Sequence, residues 1–349
     1  MEQTYFLGAN SKDGFYSLYG GFPADKNAFL HIIKGGPGTG KSGFMRALGD
    51  AAAARGLDVQ RALCSGDPDS LDGLYIPALN AAWVDGTAPH VVEPRFFGAD
   101  ADYVNLGSFF TTPFSQREKD QVNRLGDSYR ALYREAYACL AAAAAADGLK
   151  PRGLFAACAL DTVHRRVDGI LDRALGRSSP GGGRSERRFL SAISCLGEYR
   201  LNGELQALCK LIYQFDDKLG GAEAALRRAA EGAMRRGADV ILCPSPLDPE
   251  LLEAVVIPGC ALGFAGGRWE LDKPRRVRLD ALIPAGERRA RRGELREAER
   301  LAGRAAARAC EKLRQAKALH DELEAVYKGH MDFPALTKFT GSEIKKLLK

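Results

Sequence analysis

The chain has 349 residues, of which 46% are hydrophobic and 27% are charged. This length exceeds that of one ordinary domain and the composition is typical of folded globular proteins, so we expect two domains and exclude a disordered chain. The formal net charge of +6 is too small an excess to require a nucleic-acid partner, and none is expected.

The sequence also argues against a membrane or disulfide-linked protein. Its uncharged runs fall short of the roughly 18 apolar residues that a membrane span requires. The N-terminal stretch MEQTYFLGAN lacks the basic and apolar regions of a secretory signal. The cysteines are scattered without a CxxC pair. We therefore expect no membrane partner and a cytoplasmic location.

The first strong motif follows a short apolar run, AFLHIIK, at residues 28–34. The run predicts a buried strand, and the stretch from Ser42 to Gly56 has the composition of a helix. Between them the sequence fits G-x-x-x-x-G-K-[ST], and the order of strand, loop and helix is the context that this motif needs. The predicted phosphate-binding residues are Gly35, Gly36, Pro37, Gly38, Thr39, Gly40, Lys41 and Ser42.

The chemistry explains these residue types. Glycines allow the positive φ angles and the close approach by which successive backbone N–H groups surround an anion. The N-terminus of the following helix adds its positive dipole end. Lys41 is then expected to reach the β- and γ-phosphates of ATP, and the Ser42 hydroxyl to bind Mg²⁺.

A second Mg²⁺ contact is expected from an acid at the end of a neighbouring strand. The apolar run from Ala78 to Val84 predicts a buried strand, and Asp85 stands at its carboxyl end, where open parallel sheets bind ligands. The alternative is a turn aspartate before Gly86. No Glu follows Asp85, so the Asp-Glu pair of many motor ATPases is missing and a ring-forming machine is not expected.

The acidic loop CSGDPDSLDG adds Asp67 and Asp69 as candidate catalytic residues that would position water or bind a substrate. The alternative is that these aspartates form a turn and cap a helix. His90, just beyond the predicted magnesium strand, is interpreted as a structural loop residue.

Self-similarity predicts a tandem duplication. Residues 55–77 align with residues 236–258 at nine identical positions without a gap, at an offset of 181. Upstream, FLGANSKDGFY resembles FLSAISCLGEY. In the glycine motif this offset pairs Gly35 with Asp216, Gly36 with Asp217, Lys41 with Ala222, Ser42 with Glu223 and Asp85 with Gly266. Carboxylates would repel phosphates, so the second copy is expected to keep the fold without the site.

Helical segments follow each copy. Residues 115–148 and 151–177 predict a helical hairpin after the first copy, and residues 285–328 play the same part after the second. The Gly/Ser/Pro/Arg-rich stretch 176–187 predicts a flexible linker. The predicted fold class is α/β, with duplicated P-loop NTPase units, each a mostly parallel sheet flanked by helices with appended helical hairpins. Residues 1–178 form the P-loop domain and residues 187–349 the degenerate repeat.

The segments KGGPGTGKS, CSGDPDSLDGLYIP and DGTAPHVVEP resemble a family of bacterial P-loop ATPase proteins built from two tandem nucleotide-binding halves. Nearly the whole chain is covered, with the specific motifs between Lys34 and Pro94. The resemblance implies ATP binding and hydrolysis at residues 35–42. Members commonly carry a phosphate loop in both halves, whereas the second is lost here, so a mechanism that needs two nucleotides is not implied.

Three functions fit these observations. The leading hypothesis is a Mg²⁺-dependent ATPase whose second half regulates the first or docks a partner. Arg184, Arg187 or Arg188 would then be the candidates for a charge lent to the nucleotide. The second is a kinase that passes the γ-phosphate of ATP to a small molecule. The third is a nucleotide-gated module that binds a protein partner with negligible turnover.

Overall fold

Two six-stranded mixed sheets organise the molecule. A computed structural model describes residues 2–88, 91–151, 157–176, 182–216 and 218–349. The first half contains β1 Glu2–Phe6, β2 Gly8–Ser11, β3 Gly14–Ser17, β4 Phe29–Lys34, α1 Lys41–Ala53, β5 Val59–Leu63, β6 Leu71–Ile76, β7 Ala81–Asp85, β8 Ala101–Asn105, α2 Gln116–Gly148 and α3 Ala157–Leu175. The second half contains β9 Ser185–Arg187, β10 Ser191–Ser194, β11 Gly197–Arg200, α4 Asn202–Leu208, β12 Leu211–Asp216, α5 Gly221–Arg235, β13 Val240–Pro244, β14 Leu252–Ile257, β15 Leu262–Ala265, β16 Arg275–Arg278, α6 Ala285–Ala290, α7 Arg292–Lys328 and α8 Phe333–Leu347.

The two large sheets have the same strand order. The first runs β1-β5-β6-β7-β4-β8 and the second β9-β13-β14-β15-β12-β16. In each sheet the second, third and fourth strands pair antiparallel, and the remaining pairings are parallel. The sheets are therefore mixed, but only β6 and β14 run opposite to the other five strands of their sheets, so the expectation of mostly parallel sheets holds except for one strand in each. The reason is local, since a tight connection such as Pro77–Leu79 between β6 and β7 joins antiparallel neighbours.

The halves meet in pairs of equivalent contacts. The Phe6 amide donates to the Phe189 carbonyl at 2.8 Å, and the Phe189 amide donates to the Phe6 carbonyl at 3.1 Å. The Tyr16 and Tyr199 rings pack edge-on against Phe189 and Phe6 respectively. Because each contact has its mirror partner in the other half, the arrangement is that of an internal two-fold dimer. These contacts and the shared strand order support the predicted duplication.

The helices cross between the halves instead of forming the expected hairpins. The most extensive helix pair is α2 with α7, one from each half. Helix α3 packs on α5 of the second half, and α8 packs on α1 of the first. Segment 1–178 thus contains one large sheet, the other lies in residues 185–278, just ahead of the predicted boundary at 187, and each half lends a helix to the other. An apolar stripe shows that a helix packs but does not identify its partner, which is why the sequence predicted hairpins.

Buried side chains fix this exchange. Val163, Val167 and Leu171 of α3 lie in the core of the second half, while Leu336 of α8 lies in the core of the first. Each such side chain contributes about 1.5–3 kcal/mol through burial. Of the predicted linker, residues 177–181 lie outside the described residues, and Ser185–Arg187 form strand β9. Within the described ranges, no helix combines the length and apolar character needed to cross a bilayer.

Candidate functional site

The glycine loop, residues 35–42, joins β4 to α1 as the sequence predicted. Strand β4 is flanked by β7 and β8, and both pairings are parallel. The loop therefore lies at the carboxyl edge of three parallel strands. This is the edge at which open α/β sheets bind ligands.

The loop conformation requires its glycines. Gly38 has φ +67° and Gly40 has φ +89°, angles that L side chains rarely adopt. A Cβ atom at Gly35 would lie 2.5 Å from Thr39 Oγ1. Thr39 itself donates to the Gly36 carbonyl at 2.8 Å. The loop is thus held in a shape that only this glycine pattern permits, with α1 beginning at Lys41.

Lys41 and Asp85 come together beneath the loop. The Lys41 ammonium donates to the carbonyls of Gly35 at 3.0 Å and Gly36 at 2.8 Å, and lies 3.6 Å from Asp85 Oδ2. Only 12% and 11% of the two side chains are exposed. The other Asp85 oxygen accepts hydrogen bonds from the amide and hydroxyl of Thr87 at 2.9 and 2.6 Å. Asp85 therefore forms the turn, one of the two alternatives drawn from the sequence, and its second oxygen faces the lysine.

Ser42 stands at the start of α1. Its hydroxyl oxygen accepts a hydrogen bond from the Leu71 amide at 2.9 Å. A hydroxyl oxygen has two lone pairs, so this bond leaves one that could bind a metal ion. In the described part of the chain, no group of three or more His, Cys, Asp or Glu side chains is placed to hold a metal by itself.

The C-terminal helices cover the glycine loop, which the sequence did not predict. A Cβ atom at Gly36 would collide with the ring of Tyr327, and one at Gly38 would lie 2.9 Å from the Glu324 carbonyl oxygen. At Gly40 the neighbour is Leu336 of α8, 2.8 Å from such a Cβ. The end of α7 and the start of α8 therefore pack directly on the loop backbone. No local sequence pattern predicts this contact, because it joins residues almost 300 positions apart.

Glu324 is a charged group in this cover. His320 Nε2 lies 3.4 Å from one carboxylate oxygen, and Lys328 donates to the other at 2.7 Å. The hydrogen bond from His320, together with that from Lys328, lowers the pKa of the Glu324 carboxyl to about 2 despite partial burial. The last turns of α7 thus carry an ion-pair network beside the loop, in which the Glu324 carboxylate is charged at neutral pH.

Tyr327 is fixed from the other side by an aromatic cluster. Its ring packs edge-on against Phe110 and Phe114, with centroids 5.9 and 5.1 Å away. His330 lies 3.1 Å from Glu118, the residue that completes the capping box at the start of α2. The cover is therefore anchored to the segment that leads into α2.

Asp67 and Asp69 form a turn. Asp67 Oδ1 accepts from the Asp69 amide at 3.2 Å, and its other oxygen lies 3.4 Å from Lys317 of α7. The Asp69 carbonyl accepts from Arg46 at 2.8 Å. In the second half Asp248 accepts from the Glu250 amide at 3.4 Å, and Arg227 donates to the Glu250 carbonyl at 2.5 Å. Since both halves build the same turn, the Asp67 and Asp248 carboxylates are explained by the backbone that they hold, whereas Asp69 and Glu250 take part in it through their main-chain groups.

The corresponding edge of the second sheet lacks the site residues. Glu223 accepts from the Leu252 amide at 2.8 Å, the bond that Ser42 makes with Leu71. Ala222 is buried in the place of Lys41. The structure corrects the alignment by one residue in the strand. Asp216 pairs with Arg278 as Lys34 pairs with Asn105, so Asp216 is the counterpart of Lys34, not of Gly35. Asp217 and His90 lie outside the described residues.

The three arginines considered as donors to the site are engaged at other contacts. Their partners are Asp239 for Arg184 at 3.0 Å, the Pro249 carbonyl for Arg187 at 2.5 Å, and both Glu186 and Gln3 for Arg188. Arg188 is also buried, with its guanidinium over the Tyr5 ring. The second half instead reaches the glycine loop through α7 and α8.

Comparison of this chain with protein-family models, with curated proteins and with solved structures finds no match. The resemblance to tandem P-loop ATPases therefore stays a prediction. What the site can do has to be inferred from its own residues.

Proposed function

We propose that the first half of this protein binds Mg-ATP at the glycine loop and hydrolyses it. One observation carries the proposal. Lys41 lies 3.6 Å from Asp85 at the carboxyl edge of β4 and β7, next to Ser42 at the start of α1 and under a loop whose glycines adopt positive φ angles. A cation, a hydroxyl and a carboxylate beside the backbone amides of a glycine loop form the set that a metal-bound triphosphate requires.

Each residue has a chemical role in this proposal. Lys41 exchanges its bonds to the Gly35 and Gly36 carbonyls for β- and γ-phosphate oxygens. Ser42 and Asp85 hold Mg²⁺ directly or through water, as this ion prefers one or two protein oxygens together with phosphate oxygens. When bound, Mg²⁺ neutralises charge that builds up on the phosphate oxygens. The Asp85 carboxylate also attracts and orients Lys41 before ATP arrives.

We further propose that the second half regulates this site through α7 and α8. In this proposal phosphate oxygens bind the backbone of the glycine loop. Tyr327 already contacts that backbone at Gly36, so the two compete for the same surface. ATP binding therefore competes with, or displaces, the end of α7. The same contact favours a second function, a nucleotide-gated interaction module, because α7 pairs along its length with α2 and would carry the displacement to a partner surface.

The test is release of free phosphate from ATP by the parent protein and by Lys41→Ala. The substitution removes a preorganised cation, so turnover is expected to fall roughly 100-fold or more. Glu223→Gln is the matched control, because it changes the equivalent helix start in the second half, and it is expected to keep parental turnover.

The outcomes separate the candidate functions. Phosphate release from ATP alone that Lys41→Ala abolishes supports the ATPase. Tight ATP binding without turnover, also lost in Lys41→Ala, supports the gated module. ADP formation only in the presence of a metabolite pool supports a kinase. Binding and turnover that are unchanged in Lys41→Ala contradict all three.

A further inference from the structure

A cleft of about 640 Å³ opens between helix α3 and the edge strand β16, in the second half. Five arginines line it, and we call it the arginine cleft: Arg165, Arg166, Arg173, Arg276 and Arg278. Its floor is apolar, with Ile170, Val277 and Leu282 among the lining residues. This group belongs to neither the glycine loop nor its cover.

The charge of the cleft is poorly balanced by the protein. Arg276 lies 3.4 Å from Asp216, and Arg165 donates to the Thr162 hydroxyl at 3.2 Å. Arg166, Arg173 and Arg278 form no ion pair with any carboxylate among the residues described. Guanidinium groups that share a cleft within a Debye length of about 8–10 Å repel one another. A bound anion would relieve this repulsion.

The fold does not require these cations. By strand register, β16 residues Arg275, Arg276 and Arg278 correspond to Asp102, Tyr103 and Asn105 of β8. Arg275 donates to Tyr213 where Asp102 contacts His31, so the positions match in contacts as well as in sequence order. The first half builds the same edge strand with an acid and no arginine. Formation of this edge strand therefore does not explain why β16 carries arginines.

Helix α3 presents its charges in a matching way. Arg165, Gly169 and Arg173 recur every four residues and so share one helix face. Gly169 between the two arginines leaves room, since the nearest atom to a Cβ placed there is Arg173 Nη1 at 3.6 Å. The α3 and β16 arginines thus converge on one space from two sides.

We propose that the arginine cleft binds a small molecule that carries two or more phosphate groups. Guanidinium groups bind phosphate through paired hydrogen bonds, and several of them suit several phosphates. The volume is that of a small-molecule site, and the apolar floor offers contact to an organic group. An extended nucleic-acid strand fits less well, because the adjoining cleft beyond Arg165 is lined by Asp161 and by Asp168, which pairs with Arg228. The excess of positive charge does not continue into that cleft.

The experiment titrates inorganic tripolyphosphate into the full-length Lys41→Ala variant by calorimetry, so that the glycine loop does not contribute. We expect binding that weakens at least about tenfold in Lys41→Ala combined with Arg166→Ala and Arg278→Ala. The control combines Lys41→Ala with Arg304→Ala and Arg308→Ala, which remove the same charge from α7, and is expected to bind within about twofold of Lys41→Ala. Thermal unfolding of each variant checks that the fold is kept.

The result distinguishes sources and alternatives. ADP that binds more tightly than pyrophosphate, with both weakened by the cleft substitutions, supports a nucleoside-containing ligand. Equal affinities support recognition of the phosphate chain alone. Tripolyphosphate that does not bind, or that binds equally well after the cleft substitutions, overturns the proposal. A single-stranded oligonucleotide that binds through these arginines while tripolyphosphate does not also overturns it. None of these results depends on ATP turnover in the first half.

Discussion

The carboxyl ends of β4 and β12 occupy equivalent positions in the two sheets but are followed by side chains of different chemistry. At the first, a lysine faces an aspartate under a glycine loop, and the residue after the lysine is a serine that accepts a hydrogen bond from Leu71. At the second, a buried alanine and a glutamate occupy the equivalent positions, and the Glu223 bond to Leu252 reproduces the Ser42 bond to Leu71. The scaffold therefore does not depend on the site that it carries. Conversely, cations absent from β8 are gathered on β16.

This comparison predicts a large effect at Asp85, whose position in the second half is Gly266. Asp85→Asn removes the negative charge that faces Lys41 and could hold Mg²⁺. We expect the Mg²⁺ concentration needed for half-maximal ATP turnover to rise roughly tenfold or more. A Mg²⁺ titration of turnover measures it.

Glu253→Gln serves as the control for Asp85→Asn, because it also neutralises a partly buried carboxyl but in the half that lacks the site. It should leave the Mg²⁺ requirement of the first half unchanged. Equal shifts in both variants would show that the halves are not functionally distinct.

The cover on the glycine loop gives the next effect. Tyr327→Ala removes the ring that packs on Gly36. ATP then no longer has to displace it, and we expect its affinity to rise about threefold to tenfold. Calorimetry with a non-hydrolysable ATP analogue measures this change.

Tyr129→Ala is the matched aromatic control, since Tyr129 packs on Tyr133 and His320 and not on the loop. Its ATP affinity should be that of the parent. Weaker binding in Tyr327→Ala would mean that the ring supports the loop and does not oppose the nucleotide.

The ion-pair network beside the loop predicts a pH effect on stability. The pKa of Glu324 is lowered from 4.5 to about 2 in the folded protein. A depressed folded pKa contributes stability that is fully present above about pH 4.5 and is lost as the pH falls toward 2. Urea unfolding between pH 6 and pH 3 should therefore show a shallower loss of stability in Glu324→Gln than in the parent.

The pKa of Glu118 is also lowered to about 2, by hydrogen bonds from Ser115. Stability therefore stays partly acid-sensitive in both the parent and Glu324→Gln. Exposed Glu322 supplies the control, and Glu322→Gln should keep the parental slope. If the unfolding free energy of Glu324→Gln falls with pH as steeply as that of the parent, Glu324 does not contribute to the pH dependence of stability.

The smallest effect concerns one turn that the halves share. Asn80 and Ala261 follow equivalent short connections with φ of 47° and 50°. Asn tolerates this region, whereas Ala pays a steric cost there. Ala261→Gly should therefore raise the free energy of unfolding by up to about 1 kcal/mol, and Asn80→Gly should change it less. Chemical denaturation measures both, and equal effects would contradict the strain at Ala261.

Much of the site could be predicted because it is local. The glycine motif spans eight consecutive residues, and the identities of these residues predict the backbone conformation of the loop. Asp85 was found because it ends a buried apolar strand, although β7 begins at Ala81 and not at Ala78. The cover by Tyr327 and Glu324 was not found, since helix α7 shows an apolar stripe that fits any partner. The arginine cleft was missed for the same reason, as α3 and β16 are far apart in the chain.

The sequence by itself predicted a duplication, which the shared strand order supports, and it determined the strand, loop and helix around Lys41 and the different residues at the aligned positions of the second half. These follow from local identities and from the repeat of a pattern along one chain. Only the tertiary structure decided that α3 packs on the second half and α8 on the first, that α2 pairs with α7, and that the end of α7 packs on the glycine loop. Hydrophobic burial is non-directional, so a chain with two equivalent cores leaves the choice of partner to the packing of the whole molecule.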